Sequence, residues 1–271
     1  MQRFVHGLAI LLALATNAHA QQAGAQEERQ AKIDKDETGI IGVLAAQNCF
    51  TSGSGVTFLK VCITENGNIS FLESPAGKVH INSREGYAVC SVDLGIFTVF
   101  GFDMNIAAEG WGPAIVSDNK RIITRTTLDG MFQLKQTFTV LPAAPGVDVK
   151  MELKNLSQTT FHDVMIARYF DGDIDGQPVN EYSHTNGAVW GLYLHGLMLN
   201  PAPVANVNFS SMMAKFADWD PLGSGPKTGR GCFTNLAPFN SSGDYVGGIR
   251  AGWGEIKPGQ TKTVTFHYRR F

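Results

Sequence analysis

The sequence predicts an all-β protein, a large antiparallel β-sandwich of two stacked sheets with few or no helices. Three observations predict it. Apolar and polar residues alternate over several long windows, as half-buried strands require. Turn signals separate these windows at hairpin spacing. Past Glu37, no window longer than about ten residues keeps helical periodicity without a Gly or Pro. The composition agrees, since 30 Gly and 11 Pro in 271 residues supply turns and 44% hydrophobic residues supply a core. A formal charge of −2 gives no basic footprint for nucleic acid.

The chain opens Met1-Gln2-Arg3, continues with the apolar run Leu8 to Ala15, and reaches the A-x-A pattern Ala18-His19-Ala20. An apolar run this short, ending at small residues, reads as a secretory signal peptide over residues 1–20. Export to a periplasm or the extracellular space is the expected location. No later stretch approaches the roughly 18 unbroken apolar residues of a transmembrane helix. Residues 21–37 are rich in Gln, Glu and Lys, hold Ile33 as their one large aliphatic, and read as a mobile polar tail. A single sandwich domain is expected over 38–271, with roughly ten to fourteen strands.

Asn66-Gly67 stands between Phe58–Thr64 and Ile69–Glu73 and signals a hairpin. Leu128-Asp129-Gly130-Met131 signals another. From Phe132 to Val140 the even positions are apolar, Gln136 excepted. Beyond the Pro142–Gly146 bridge, Val147, Val149, Met151 and Leu153 interleave with Asp148, Lys150, Glu152 and Lys154. Lys257-Pro258-Gly259-Gln260 is a turn ahead of a last alternating stretch, Val264, Phe266 and Tyr268. That register weighs against an outer-membrane barrel, because Phe271 shares its face with Arg269, His267 and Thr265. Trp111 and Trp253, each flanked by glycines, read as core residues. No blade-length repeat supports a propeller.

Four cysteines, Cys49, Cys62, Cys90 and Cys232, read in an exported chain as two disulfides with three connectivities. The flexible Thr51–Gly55 segment favours Cys49–Cys62 and leaves Cys90–Cys232 as a long clamp. CxxC spacing is absent, so zinc is not indicated.

The stretch Phe138-Thr139-Val140 through Glu152-Leu153-Lys154-Asn155-Leu156-Ser157, then Val164 to Arg168 and Asp171, resembles the supersandwich domains of the galactose-mutarotase-like type. In those, a long strand ends in an Asn-x-Ser turn and returns as the next strand. The resemblance covers about a fifth of the chain. It implies a sandwich fold and a carbohydrate-related setting, and it carries over no catalytic residue.

Two segments hold candidate chemistry. In Asp171-Gly172-Asp173-Ile174-Asp175-Gly176, three alternating carboxylates and a Gly match the first half of a calcium loop. Position twelve is Tyr182 rather than Glu, so an EF-hand is excluded, and Asp171, Asp173 and Asp175 stand as ligands for a Ca²⁺ ion in a β-connection. The second segment is the Gly-rich connection after Phe216. Its Asp218, Trp219, Asp220 and Arg230 suit a sugar, which stacks an apolar face on Trp and bonds its hydroxyls to charged groups. GxSxG and HExxH motifs are absent, and Pro226 breaks the phosphate-loop pattern at Gly225-Pro226-Lys227-Thr228. The expected function is an exported, non-catalytic protein that binds a carbohydrate or cell-surface ligand, with Ca²⁺ as the one cofactor entertained. The alternatives are a carbohydrate-active hydrolase or lyase using the loop carboxylates, and a structural or assembly component of the envelope with no small ligand.

Overall fold

The alternating windows become strands because each can bury one row of side chains and solvate the other. A computed structural model describes residues 47–271 apart from 83, 94–95, 105–107, 120, 142–144, 186, 216–231 and 233–240. These lie within one compact unit, Leu44–Phe271. The expected signal peptide (1–20) and polar tail (21–37) lie outside the described residues.

Nineteen strands are described, and they form three antiparallel sheets. β1 (Gln47–Ser52), β2 (Leu59–Thr64), β3 (Ile69–Glu73) and β4 (Val79–Asn82) make a four-stranded sheet in that order. β5 (Glu85–Asp93), β6 (Ile96–Asp103) and β7 (Ala108–Glu109) belong to a six-stranded sheet. β8 (Ile115–Ser117), β9 (Ile122–Thr126), β10 (Phe132–Leu141) and β11 (Gly146–Asn155) belong to a nine-stranded one. The chain then moves between the two large sheets. β12 (Phe161–Asp171), β16 (Asn208–Lys215) and β18 (Tyr245–Ile256) complete the six-stranded sheet, ordered β16-β18-β12-β5-β6-β7. β13 (Asn180–Thr185), β14 (Ala188–Leu192), β15 (Gly196–Pro201), β17 (Ser241–Gly243) and β19 (Thr261–Arg270) complete the other, ordered β17-β13-β14-β15-β19-β11-β10-β9-β8. The helical turns described are two 3₁₀ segments, Gly55–Thr57 and Ile174–Gly176. No described helix is long and apolar enough to cross a membrane.

The fold is thus the expected all-β sandwich, with a third, small sheet beside the two large ones. Asn66-Gly67 makes the β2–β3 hairpin. Gly67 has φ +92°, and a Cβ there would lie 2.2 Å from Gln136 Nε2, so turn and packing both require glycine. The Asn155-Leu156-Ser157 turn carries the chain from the nine-stranded to the six-stranded sheet, and Lys257–Gln260 carries it back. Asn155 holds the two crossings together. Its Oδ1 accepts the Ser157 N–H (2.9 Å), its Nδ2 donates to the Ile256 carbonyl (3.0 Å), and its N–H donates to the Gln260 carbonyl (3.0 Å).

Inward rows from all three sheets form one apolar cluster, including Leu59 and Ile69, Val89 and Ile166, and Phe138 and Phe266. Trp111 and Trp253 are buried in it, as expected. The six-stranded sheet is also buried on part of its other face, where Ala88, Tyr169, Met212 and Val246 pack around Cys90 and Cys232. Both favoured disulfides are present. Cys49–Cys62 joins directly opposed residues of β1 and β2, and Cys90–Cys232 joins residues 142 apart in sequence.

The core also holds a charged centre. Arg168 and Glu85 are both fully buried, with Arg168 Nε 2.7 Å from Glu85 Oε1 and Nη2 3.0 Å from Oε2. Arg168 further donates to Gln136 Oε1 (2.6 Å), the Tyr268 hydroxyl (3.1 Å) and the Gly67 carbonyl (3.2 Å). Glu85 in turn accepts from the Tyr268 hydroxyl (2.5 Å) and the Ile69 N–H (2.7 Å). Gln136, the polar exception in the β10 alternation, is therefore an acceptor for a buried cation. Removing one member of such a pair strands its partner's charge in the core. Arg168→Leu is expected to lower the unfolding free energy by about 3–5 kcal/mol in urea titrations. A loss under about 1 kcal/mol would mean that the pair is dispensable.

Candidate functional site

The loop residues singled out from sequence, Asp218, Trp219, Asp220 and Arg230, lie outside the described residues. The acidic turn is described, and its carboxylates take different partners. Asp171, at the end of β12, is buried and pairs with Arg84 Nη1 at 3.1 Å. Asp175 sits in the Ile174–Gly176 turn with φ +59°, which turns its side chain to the β14–β15 connection. There it accepts the N–H groups of Leu194 (2.9 Å) and His195 (2.8 Å) and the His195 ring N–H (2.6 Å). Burial works to raise the Asp175 pKa, but these donors outweigh it and hold the carboxyl below its usual range. Asp173 stands between them at the start of the same turn. Among the described residues, no group of three or more His, Cys, Asp or Glu side chains is placed to hold a metal ion.

A different pair of carboxylates shares the Arg84 end of this turn. Burial, followed by the charge of Asp244, pushes Asp171 up to about 8 against the pull of Arg84. Burial also lifts Asp244 to about 6, with Arg84 opposing and Asp173 adding to the shift. Asp244 precedes β18 and carries no motif around it, so sequence spacing had no means of bringing it here.

Two hollows open on the outer faces of the large sheets. One, of about 320 Å³, lies on the nine-stranded sheet over β17, β13 and β14. Trp190 of β14 is half-buried there, with Glu181 and Ser183 of β13, Leu192 of β14 and Ser242 of β17 around it. Trp190 pairs with Ser183, and Glu181 with both Leu192 and Ser242, so the strand ladder itself places these side chains on one face. The inward face of the same strands carries Tyr182 and Val189, both buried in the core. The sequence did hold a trace of this, because Val189-Trp190-Gly191-Leu192 places its Trp out of step with buried Val189.

The second hollow, of about 350 Å³, lies on the outer face of the six-stranded sheet, over β5, β12, β18 and β16. Arg250, Ser210, Asn208, Asp163, Gly252 and Gly254 contribute to its lining. Arg250 Nε donates to Ser210 Oγ at 3.0 Å, across a directly opposed pair of β18 and β16. Burial pushes the Arg250 pKa below the ordinary arginine value.

No family model matches the sequence, and no curated protein matches it. Among solved structures, the chain is similar to a bacterial glucoamylase complexed with acarbose, at TM-score 0.48 and 10% identity over 84% of this chain and 34% of that one. It is also similar to heparan sulfate lyase from Pedobacter heparinus, at TM-score 0.44 and 9% identity over 84% and 35% of the two chains. A polysaccharide lyase matches at TM-score 0.41 and 11% identity over 84% and 33%. The chain spans about a third of the length of each of these proteins.

The raised carboxyls make stability depend on pH in a definite direction. A free aspartate titrates near pH ~4, so the native state holds protons that the unfolded chain releases. Their contribution is fully present below about pH 4 and is lost as pH rises through the folded values of about 6 and about 8. Glu85, pushed up to about 7 by burial against Arg168, acts in the same sense. The melting temperature is expected to fall between pH 5 and pH 9, and Asp244→Asn to flatten that fall. A melting temperature that rises over this interval would contradict the assignment.

Proposed function

We propose that the chain is a non-catalytic carbohydrate-binding β-sandwich and that a sugar ring stacks on Trp190. The observation that carries this reading is the placement of a half-buried Trp, rather than a fully buried one, on the outer face of a sheet inside a hollow. A pyranose has an apolar face of C–H groups and a rim of hydroxyls. The first prefers an aromatic surface, and the second prefers acceptors such as a carboxylate. Trp190 supplies the surface and Glu181 the acceptor.

The size agrees with this use. About 320 Å³ is at the small end of ligand pockets and suits one or two sugar units. Among the described residues, Glu181 is the one carboxylate in this lining, whereas glycoside hydrolysis generally works with two flanking the scissile bond. That favours binding over turnover at this place. The two disulfides suit an oxidising compartment outside the cytosol, where free and surface glycans are met.

Calorimetric titration of the full chain with a panel of neutral oligosaccharides tests the reading. Saturable binding is expected, weakened at least about tenfold by Trp190→Ala, which corresponds to roughly 1.4 kcal/mol. Trp190→Phe should keep part of the affinity, because the stacking surface shrinks rather than disappears. Unchanged binding in Trp190→Ala, with its melting temperature also unchanged, would place the sugar elsewhere. An absence of binding across the panel would defeat the proposal.

A further inference from the structure

The outer face of the six-stranded sheet is divided along its strands. At one end Met212, Val246 and Tyr169 are covered and apolar around the Cys90–Cys232 disulfide. At the other end the same rows continue as Ser210 and Asn208 on β16, Arg250, Gly252 and Gly254 on β18, and Asp163 on β12, and the face opens into the 350 Å³ hollow. Three features of this open end have no explanation in the fold.

The first is Arg250. Its Nε is held by Ser210, yet among the described residues no carboxylate forms an ion pair with its guanidinium, and no acceptor takes its terminal N–H groups. A half-buried guanidinium with its fork unoccupied is a site for an oxyanion, and a carboxylate matches that fork with two parallel hydrogen bonds.

The second is the pair of glycines. Glycine inside a strand costs stability and is kept where a positive φ or a close neighbour demands it. Gly248, on the same strand, is such a case, since a Cβ there would lie 2.8 Å from Tyr169 Cβ. Gly252 and Gly254 are not. Neither has a left-handed φ. A Cβ on Gly254 would meet nothing within 4 Å, and one on Gly252 would find Met165 Cγ at an ordinary 3.5 Å. What their lack of side chains does is leave the floor of the hollow bare.

The third is Asp163, a non-glycine residue inside β12 with φ +44°. Its neighbours pair regularly, His162 with Glu255 and Val164 with Trp253, which sets Asp163 beside Gly254. Strain of this kind persists where the surroundings over-determine it, often at a binding site. The backbone at Asp163 stands four residues along the ladder from Arg250, about 13 Å at strand rise. At that distance the two charges do not neutralise each other, and a ligand joining them must cross both glycines.

We propose that this hollow binds an acidic oligosaccharide, with a uronate carboxylate on Arg250 and the adjoining sugar lying over Gly252 and Gly254, its hydroxyls donated to Asp163. Asn208 offers an amide to the same hydroxyl rim. The site is chemically distinct from the Trp190 hollow and stands whether or not that one binds a neutral sugar.

Calorimetric titration of the full chain with trigalacturonate, monomeric galacturonate, acetate and neutral maltotriose tests it. Trigalacturonate is expected to bind saturably, at least tenfold tighter than the monomer, and acetate and maltotriose not to compete for the site. Arg250→Gln should weaken trigalacturonate at least tenfold. Gly254→Val should abolish its binding with the melting temperature kept or raised, because the new side chain enters open space on a β-strand. Trp190→Ala should leave it unchanged, which separates the two sites. Three results would overturn the proposal: no trigalacturonate binding, wild-type affinity in both Arg250→Gln and Gly254→Val, or acetate binding as tightly as trigalacturonate.

Discussion

A guanidinium placed in the middle of a β-sandwich must find its acceptors wherever they are, and here they come from every sheet. Arg168 and its partner Glu85 belong to the six-stranded sheet, Gln136 and Tyr268 to the nine-stranded one, and the Gly67 carbonyl to the β2–β3 turn of the small one, whose Ile69 N–H donates to Glu85. The apolar layers around this centre would tolerate sliding by a residue or two with modest loss, because hydrophobic burial is non-directional. Hydrogen bonds to a planar cation would not, because they depend on angle as well as distance. The relative placement of the sheets is therefore set by the polar centre, and the hydrophobic residues supply the bulk of the driving force within that placement. Arg125 and Asp103 repeat the device nearby, joining β9 to β6, with the Tyr87 hydroxyl bonded both to Arg125 (3.1 Å) and to the Asn66 carbonyl (2.6 Å).

This arrangement frees the outer faces. Since the interior fixes the sheets, residues pointing away from it are under little packing constraint, and that is where both hollows are found. Trp190 and Arg250 share a logic, although one is aromatic and the other cationic. Each stands on a strand whose inward neighbours are core residues, Val189 on β14 with Tyr182 of the adjoining β13 in one case, Ile249 and Ala251 on β18 in the other. A rigid strand with a committed inner face is a good platform for a binding side chain, because the backbone beneath it does not adjust.

Much of the fold was legible in the chain because period-two alternation needs no tertiary information. The β10, β11 and β19 strands and the hairpin at Asn66-Gly67 follow from local pattern, and the Asn155 turn from the resemblance to supersandwich domains. The small sheet was harder to read. Val79–Asn82 is four residues long and buries its two central residues together, so it shows no alternation. The crossing from β18 to β19 was hidden for another reason, since a Pro-Gly turn such as Lys257–Gln260 looks the same whether its strands pair or part. The candidate sites were less legible still. Spacing placed three carboxylates at alternate positions from Asp171, but the left-handed backbone at Asp175 sends that side chain to His195, and Arg84 claims Asp171. Arg250 has no motif around it along the chain, and Ser210 reaches it only through the ladder. Gln136 was visible as a blemish in an apolar row, and its meaning appeared only with Arg168 in place.

The position of β19 has a consequence for how such a chain can be assembled. Residues 261–270 lie in the interior of the nine-stranded sheet, with β11 on one side and β15 on the other. Until those residues arrive, the sheet exists as two separate ribbons, β8-β9-β10-β11 and β17-β13-β14-β15, each ending in an unpaired row of N–H and C=O groups. Such edges are templates for pairing with other chains. Tyr268, which completes the hydrogen-bond shell of Glu85, rides on the same strand. A chain made from its N-terminus thus stays open at this seam until residues 261–270 emerge, and β19 then both joins the two ribbons and completes the shell of the buried charge between the sheets.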